Sequence, residues 1–314
     1  TLQSNLLWIA GGNILPESYA LAIYSGFNVI DTSFALRMGY RGLYATRDRS
    51  QWLREIRYNS CSCPVCTTIS EKFPKKKDII ESKEFKHKVV EHNLFVAFRE
   101  MGEVKNRLKK GDLRTYVEKT VHNHPSAASF LRILDQSASD SILPRYPLNC
   151  SYPVYCVGSE SYRRPEVQNF IQRVKENVFP PKSYPCVVLL PCSAKKPYSQ
   201  SRSHRGFQKS LKRAVKKFKG KMSWDNIHEV IVTSPLGVVP RELESVFPAQ
   251  HYDIPVTGDW DVEEIEMASE CISSYLKKCV DANLENPVPL QVVVHLPSGY
   301  KKACKLAQKK IFDS

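Results

Sequence analysis

Residues 187–190, Val-Val-Leu-Leu, form an unbroken apolar run closed by Pro191. Apolar at every position, such a run fits a strand buried on both faces, the kind found in parallel sheets. Three more segments repeat its plan of a short strand followed by an amphipathic helix. Strand 154–158 precedes a helix opened by Pro165, strand 229–233 a helix over 262–279, and strand 291–295 a helix over 299–311. The strand at 187–191 leads to a helix over 207–219, with Phe207, Leu211, Val215 and Phe218 facing inward. Asp261 is placed to cap the 262–279 helix, with Glu263 and Glu264 in its first turn. Four such units predict an open parallel sheet with helices on both faces, an α/β/α domain over residues 146–314.

Loops at the carboxyl edge of such a sheet converge on one crevice. Here they read GSESYRRP (158–165), PCSAKKPYSQSRSH (191–204), SPLGVVPRELE (234–244), YDIPVTGDWD (252–261) and LPSGYKK (296–302). Cys192 follows a strand end beside Lys195 and Lys196, and fixed positive charge favours a thiolate, so Cys192 is the candidate nucleophile. Lys195, Lys196, His204 and Asp259 are candidates to move protons, with Glu160 and Asp253 behind them. Glu160, Glu242 and Asp259 suit a cationic amine, while Arg163, Arg164 and Arg241 suit a carboxylate or phosphate held by two hydrogen bonds. Ser193, Tyr198 and Trp260 complete the expected binding residues. Taken singly, each has a bland reading as a buried thiol or a solvated charge. The convergence of five such loops favours a site.

The formal net charge is +14, and from Lys195 to Lys221 there are eleven Lys or Arg and no Asp or Glu. A clustered excess of this kind is the footprint of a polyanion, with nucleic acid first. Arg202, Arg205, Lys212, Lys216 and Lys219 are the expected phosphate contacts, and the lysines at 75–77 are the alternative. No stretch of 18 apolar residues is present, and the start, TLQSNLLWIAGG, lacks the charged segment and cleavage site of a secretion signal. A cytoplasmic protein without a membrane role is expected.

Earlier in the chain, strand 7–11, a helix over 16–25 and strand 27–30 make a βαβ unit with Asp31 at its carboxyl edge. Asp31 is either a chemical group or the cap of the Asp-Thr-Ser turn. The run CSCPVC puts Cys61, Cys63 and Cys66 within six residues, a spacing for a soft tetrahedral ion such as zinc. A helix over 86–110 follows, with Val89, Val90, Phe95, Phe98, Met101, Val104 and Leu108 as its expected core side. His92 on that helix is the expected fourth ligand and His87 the runner-up. Three Cys and one His leave no open position, so the role is structural.

Together, SGFNVIDTSFALRMGYRGLYAT, YNSCSCPVC and EHNLFVAFREMGEVKNRLKKGDLRTYVE resemble the last part of the tRNA-guanine transglycosylase barrel with its zinc subdomain, over roughly residues 1–140. The resemblance implies that Asp31 matches that family's nucleophile. It also implies a truncated, partial TIM-barrel-like domain over 1–145, to be completed by another chain or a second copy. The loops PVYCVGSESYRRPEV, PCSAKKPYSQSRSH, SPLGVVPRELE and YDIPVTGDWD resemble the core domain of the archaeosine synthase family. That resemblance implies transfer of an amine, free lysine first among donors, to the nitrile of preQ0 at position 15 of archaeal tRNA, with a radical SAM enzyme as partner. The alternatives are a non-catalytic tRNA-binding subunit and one half of a split transglycosylase.

Overall fold

The computed structural model describes residues 6–12, 14–69, 77–137, 152–180, 184–217 and 223–313. The chain divides into two compact units, Thr1–Pro147 and Leu148–Ser314. Among the described residues, no helix is long and apolar enough to cross a membrane.

In the first unit, β1 (Ile9–Ala10) and β2 (Val29–Ile30) pair in parallel around α1 (Tyr19–Tyr24). This is the expected βαβ unit, with α1 preceded by a 3-10 turn at Pro16–Ser18. After α2 (Ser33–Tyr40), β3 (Leu43–Tyr44) and β4 (Gln51–Trp52) pair antiparallel. Helices α3 (Lys77–Glu81), α4 (Lys83–Lys110), α5 (Leu113–Val121) and α6 (Pro125–Ser137) follow. Ser82 caps α4 by accepting from the Phe85 amide, and Gly111, at φ 75°, closes it in the left-handed conformation.

Helix α4 buries Val89, Val90, Ala97 and Val104, but Phe95 is 46% exposed, Phe98 68% and Leu108 49%. The expected core side was therefore drawn too wide. The buried stripe runs along 85-89-93-97-100-104, and at helical spacing Phe95 and Phe98 fall on the opposite, exposed face. Beneath α5 lies a buried ionic cluster. Arg114 bonds Glu118 and Asp135 and donates to Tyr24 at 2.7 Å. Such a charge is tolerated in a core only when its donors are matched.

In the second unit, one four-stranded sheet runs β10 (Gln291–Val294), β6 (Cys186–Pro191), β7 (Ile227–Thr233), β8 (Gly237–Pro240). Strands β10, β6 and β7 are parallel, as expected, but β8 returns antiparallel to β7. Part of the presumed loop 234–244 is thus a strand, because Gly237 at φ 71° permits the tight reversal. The expected strand at 154–158 also lies elsewhere. Strand β5 (Val154–Tyr155) pairs in parallel with β9 (Tyr252–Asp253), apart from the main sheet.

Helices cover both faces of the main sheet. On one side, α7 (Pro165–Glu176), α9 (Val262–Ala282) and α10 (Ser298–Phe312) pack over Val187, Leu189, Val230 and Val232. On the other, Phe207 and Leu211 of α8 (Arg202–Lys217) cover Cys186, Val188 and Leu190. This helix begins at Arg202, five residues before the expected start, because the Ser201 hydroxyl accepts from the His204 amide at 3.1 Å. Asp261 and Glu264 form a reciprocal capping box on α9.

Gly237 gives this fold a direct test. A Cβ there would fall on the Cys271 side chain, and the φ is unfavourable for any other residue. Gly237→Ala should destabilise the protein by about 2 kcal/mol or more in denaturant titration.

Candidate active site and metal centre

In the first unit, Cys61, Cys63, Cys66 and His92 bring their donor atoms within 4.8 Å of one another. The three sulfurs lie 3.7, 3.5 and 3.3 Å from His92 Nδ1. A tetrahedral ion with metal–sulfur bonds of about 2.3 Å and a metal–nitrogen bond of about 2.0 Å requires separations of about 3.5 Å, so the four residues fit. His92 Nε2 donates to the Ala45 carbonyl at 2.7 Å, which leaves Nδ1 as the ligating atom. Tyr44 stacks on the imidazole at 3.7 Å, and its hydroxyl lies 3.1 Å from Cys66 Sγ. Asn93 fixes the same wall by accepting from the Ala45 amide and donating to Ala35 and Leu43. His87, the runner-up ligand, packs edge-on against Tyr40 instead.

Asp31 sits at the carboxyl end of β2, where its amide donates to Ala10. Its carboxylate accepts from both the amide and the hydroxyl of Ser33, at 2.9 and 2.6 Å. Those bonds hold its pKa below the ordinary carboxylate value.

In the second unit, parallel pairing sets the ends of β6, β7 and β10 along one edge. Cys192 follows β6, with its amide bonded to the Val232 carbonyl at 3.1 Å and its sulfur 3.1 Å from the Tyr300 hydroxyl. Tyr300 in turn meets Trp260, with ring centroids 4.4 Å apart. Lys196 lies half-buried with its Nζ 3.8 Å from the centre of the Tyr252 ring. Burial lowers its pKa, against the favourable fields of Cys192, Asp253 and Cys156. Beneath it the Tyr252 hydroxyl joins those of Tyr198, at 2.6 Å, and Thr233, at 2.5 Å. Three of the five loops, with Thr233 at the end of β7, thus supply residues around one sulfur.

The 191–204 loop also anchors a second network. His204 is fully buried; its Nε2 donates to the Pro191 carbonyl at 3.0 Å and its Nδ1 accepts from Arg241 at 2.9 Å. Burial and the Arg241 charge push its pKa down to about 4, so the imidazole is neutral. Arg241 also bonds Glu229 and Glu244, and Glu244 accepts from the Ser199 amide at 2.9 Å.

Residues 2–126 match the family model for queuine tRNA-ribosyltransferase, and residues 167–313 match that of a domain of unknown function, DUF5591. Among curated proteins, the chain is 32% identical over 95% of its length to an archaeosine synthase of Haloferax volcanii. That alignment covers 45% of the relative. It is 35% identical, again over 95% of its length, to an archaeosine synthase subunit alpha of Methanosarcina acetivorans, of which 44% is covered. The chain is a homologue of the archaeosine synthases. It spans about half the length of these relatives. A tRNA-guanine(15) transglycosylase of Methanococcus maripaludis is 26% identical over the same share of the chain and is covered over 42%.

In this homologue of the archaeosine synthases, several sequence-derived candidates fall near the Cys192 sulfur and others do not. Lys196 and Trp260 lie near Cys192, whereas Tyr198 is wholly buried, with its hydroxyl on that of Tyr252. Lys195 and Asp259 are exposed on the flanking loops, and the Ser193 hydroxyl donates to the Lys195 carbonyl at 3.0 Å. His204 and Arg241 are committed to the internal network, so neither has the free nitrogen or open guanidinium expected of it. Arg163 pairs with Glu263 at 3.1 Å, and Glu242 turns toward His228 at 3.4 Å. Arg164 is buried and donates to the Tyr155 carbonyl at 2.7 Å. Glu160 is partly buried in the turn after Gly158. On α8, Arg202, Arg205, Lys212 and Lys216 are exposed, while Lys219 and the lysines at 75 and 76 lie outside the described residues.

Tyr300, Tyr252 and Thr233 were missed from the sequence, although LPSGYKK had marked the loop that carries Tyr300. A groove of about 560 Å³ elsewhere in this unit, lined by Leu276, Val280, Val292, Val294, Cys304 and Ile311, holds none of the motif residues.

The metal centre carries its own prediction. Metal analysis of purified protein should find about one ion per chain, and Cys63→Ser should lower that stoichiometry. Chelation should loosen proteolytic protection of the first unit before that of the second. Full metal content in the C63S variant would overturn the assignment.

Proposed function

We propose that the chain is part of a tRNA-modifying transferase that joins an amine donor to the nitrile of preQ0 at position 15 of archaeal tRNA, with Cys192 as nucleophile. One observation carries this reading. In a homologue of the archaeosine synthases, the sulfur of Cys192 sits at the carboxyl end of β6, bonded to Tyr300 and within the field of Lys196. A nitrile carbon is a modest electrophile. Sulfur adds to it and gives a thioimidate; an amine then adds and expels the sulfur, leaving an amidine. Lys196 supplies positive charge beside the sulfur, and the exposed Lys195 draws in the polyanion. Free lysine is the proposed donor, and the exposed carboxylates of Asp253 and Asp259 suit its α-ammonium.

The Methanosarcina relative's name, subunit alpha, supports a second chain in the complete reaction, for which a radical SAM enzyme is proposed. The ion of the Cys61, Cys63, Cys66 and His92 centre is proposed to be zinc, in keeping with three thiolates and an imidazole. The first unit is proposed to be the end of a transglycosylase barrel, supported by its family match. Base exchange at Asp31 is the weaker reading, because both its oxygens are held by Ser33.

Two measurements test this function. With preQ0-bearing tRNA and candidate amines, Cys192→Ala should bind tRNA and form no product by nucleoside mass spectrometry. Cys186→Ala should keep turnover and lose only stability. A tenth of wild-type turnover in C192A would sink covalent catalysis there. Reversing charge at Lys212 and Lys216 should weaken tRNA binding and reduce its salt slope by roughly one unit per lost phosphate contact. Unchanged affinity would place the RNA surface elsewhere.

A further inference from the structure

Addition of a thiol to a nitrile moves one proton. The S–H bond breaks, an S–C bond forms, one C–N π pair becomes an N–H bond, and no other reactant is consumed. The question is which group carries that proton from sulfur to nitrogen. His204 has both nitrogens committed, and the Lys196 ammonium lies over the Tyr252 ring. The described hydrogen-bond partner of Cys192 Sγ is the hydroxyl of Tyr300, at 3.1 Å, a contact in which either atom can donate.

We propose that Tyr300 is a catalytic proton relay for Cys192. Its phenol oxygen takes the thiol proton while its own hydroxyl proton passes to the nitrile nitrogen. The proposal rests on the reading of Cys192 as nucleophile. In the second step the relay runs in reverse. The incoming amine loses a proton to the Tyr300 oxygen, and the Tyr300 hydroxyl proton reaches sulfur as the S–C bond breaks. The phenol is regenerated after each step, and neither step leaves a free thiolate.

The backbone places this hydroxyl from two sides. Ser298, just before Tyr300, has a φ of 35°, in the left-handed region that residues with a side chain avoid. The Gly299 amide donates to the Gly258 carbonyl at 3.0 Å. A Cβ on Gly299 would stand 2.7 Å from that carbonyl oxygen and 3.0 Å from Trp260, so the two loops close only on glycine. This contact seats Trp260 against the Tyr300 ring. On the other side, the bond from the Cys192 amide to Val232 fixes the thiol's own backbone.

Electrostatics favours a relay over a simple acid. Burial, then the neighbouring Cys192, raises the Tyr300 pKa above its ordinary value. A phenolate left behind in that setting is disfavoured, so the hydroxyl gives its proton up only as it receives another.

Single-turnover formation of the thioimidate on preQ0-tRNA, followed by intact mass, tests the relay. Tyr300→Phe removes one oxygen and leaves the ring against Trp260. It should bind tRNA as wild type does and slow this step by about 10²-fold. Its rate should then rise tenfold per pH unit below the thiol pKa, because only free thiolate attacks, whereas the wild-type rate is nearly flat there. A merely structural tyrosine would not change that slope. Retention of the wild-type rate and pH profile in Y300F, with C192A inert, overturns the relay and leaves the nucleophile standing. Turnover in C192A overturns both. If Y300F does not fold, 3-fluorotyrosine in place of Tyr300 keeps the oxygen and makes it more acidic. The relay then requires a several-fold change in rate and in the solvent deuterium isotope effect, and no change in either overturns it.

Discussion

Parallel pairing on both sides of β6 is the constraint from which the second unit follows. Parallel neighbours end at the same edge, and β6 is bonded to β10 and to β7 over successive residues. Cys192, Thr233 and the turn into α10 must therefore emerge together. The interior of β6 is buried on both faces, Val187 and Leu189 against one helical layer and Val188 and Leu190 against the other. A strand so enclosed cannot slip by one residue without exchanging its two faces. The position of the Cys192 sulfur is accordingly set by the core beneath it.

Polar groups around that edge divide into two sets with different roles. Glu229, Glu244, His204 and Arg241 satisfy one another under the start of α8 and hold the 191–204 loop in place. A guanidinium with two carboxylate partners and a bond to His204 has little left to offer a ligand. The second set is Cys192, Tyr300 and Lys196 with the hydroxyls of Tyr198, Tyr252 and Thr233, and among the described residues no carboxylate is bonded to its cation. A cluster of a thiol, phenols and one lysine suits an electrophile that gains negative charge as it reacts.

The first unit relies on local covalent spacing in place of a large sheet. Three cysteines in a short loop, one histidine on α4 and a stacked tyrosine make a compact corner. Asn93, next to His92 in sequence, ties that helix to Ala35, Leu43 and Ala45. The residues that could hold a metal ion and those that pack the helix thus share the same turn of α4, which is why removal of a bound ion should be felt through this unit.

Much of this was legible in the sequence because its cause was local. The spacing of Cys61, Cys63 and Cys66 is a property of six residues, the cap at Asp261 of four, and the apolar run of β6 of its own composition. What the sequence left undecided depended on residues far apart in the chain. Arg241 read as an anion ligand and His204 as a proton carrier, and only the fold set the turn after β8 beside the start of α8 and bonded the two to each other. Antiparallel β8 was hidden in a segment that reads as a loop, since it is made a strand by its neighbour and by the turn at Gly237. Tyr300 meets Cys192 across 108 positions, and no periodicity or motif couples residues at that distance. The metal-ligand spacing and the central strand were written in local chemistry, whereas the company of Cys192 was decided by the sheet.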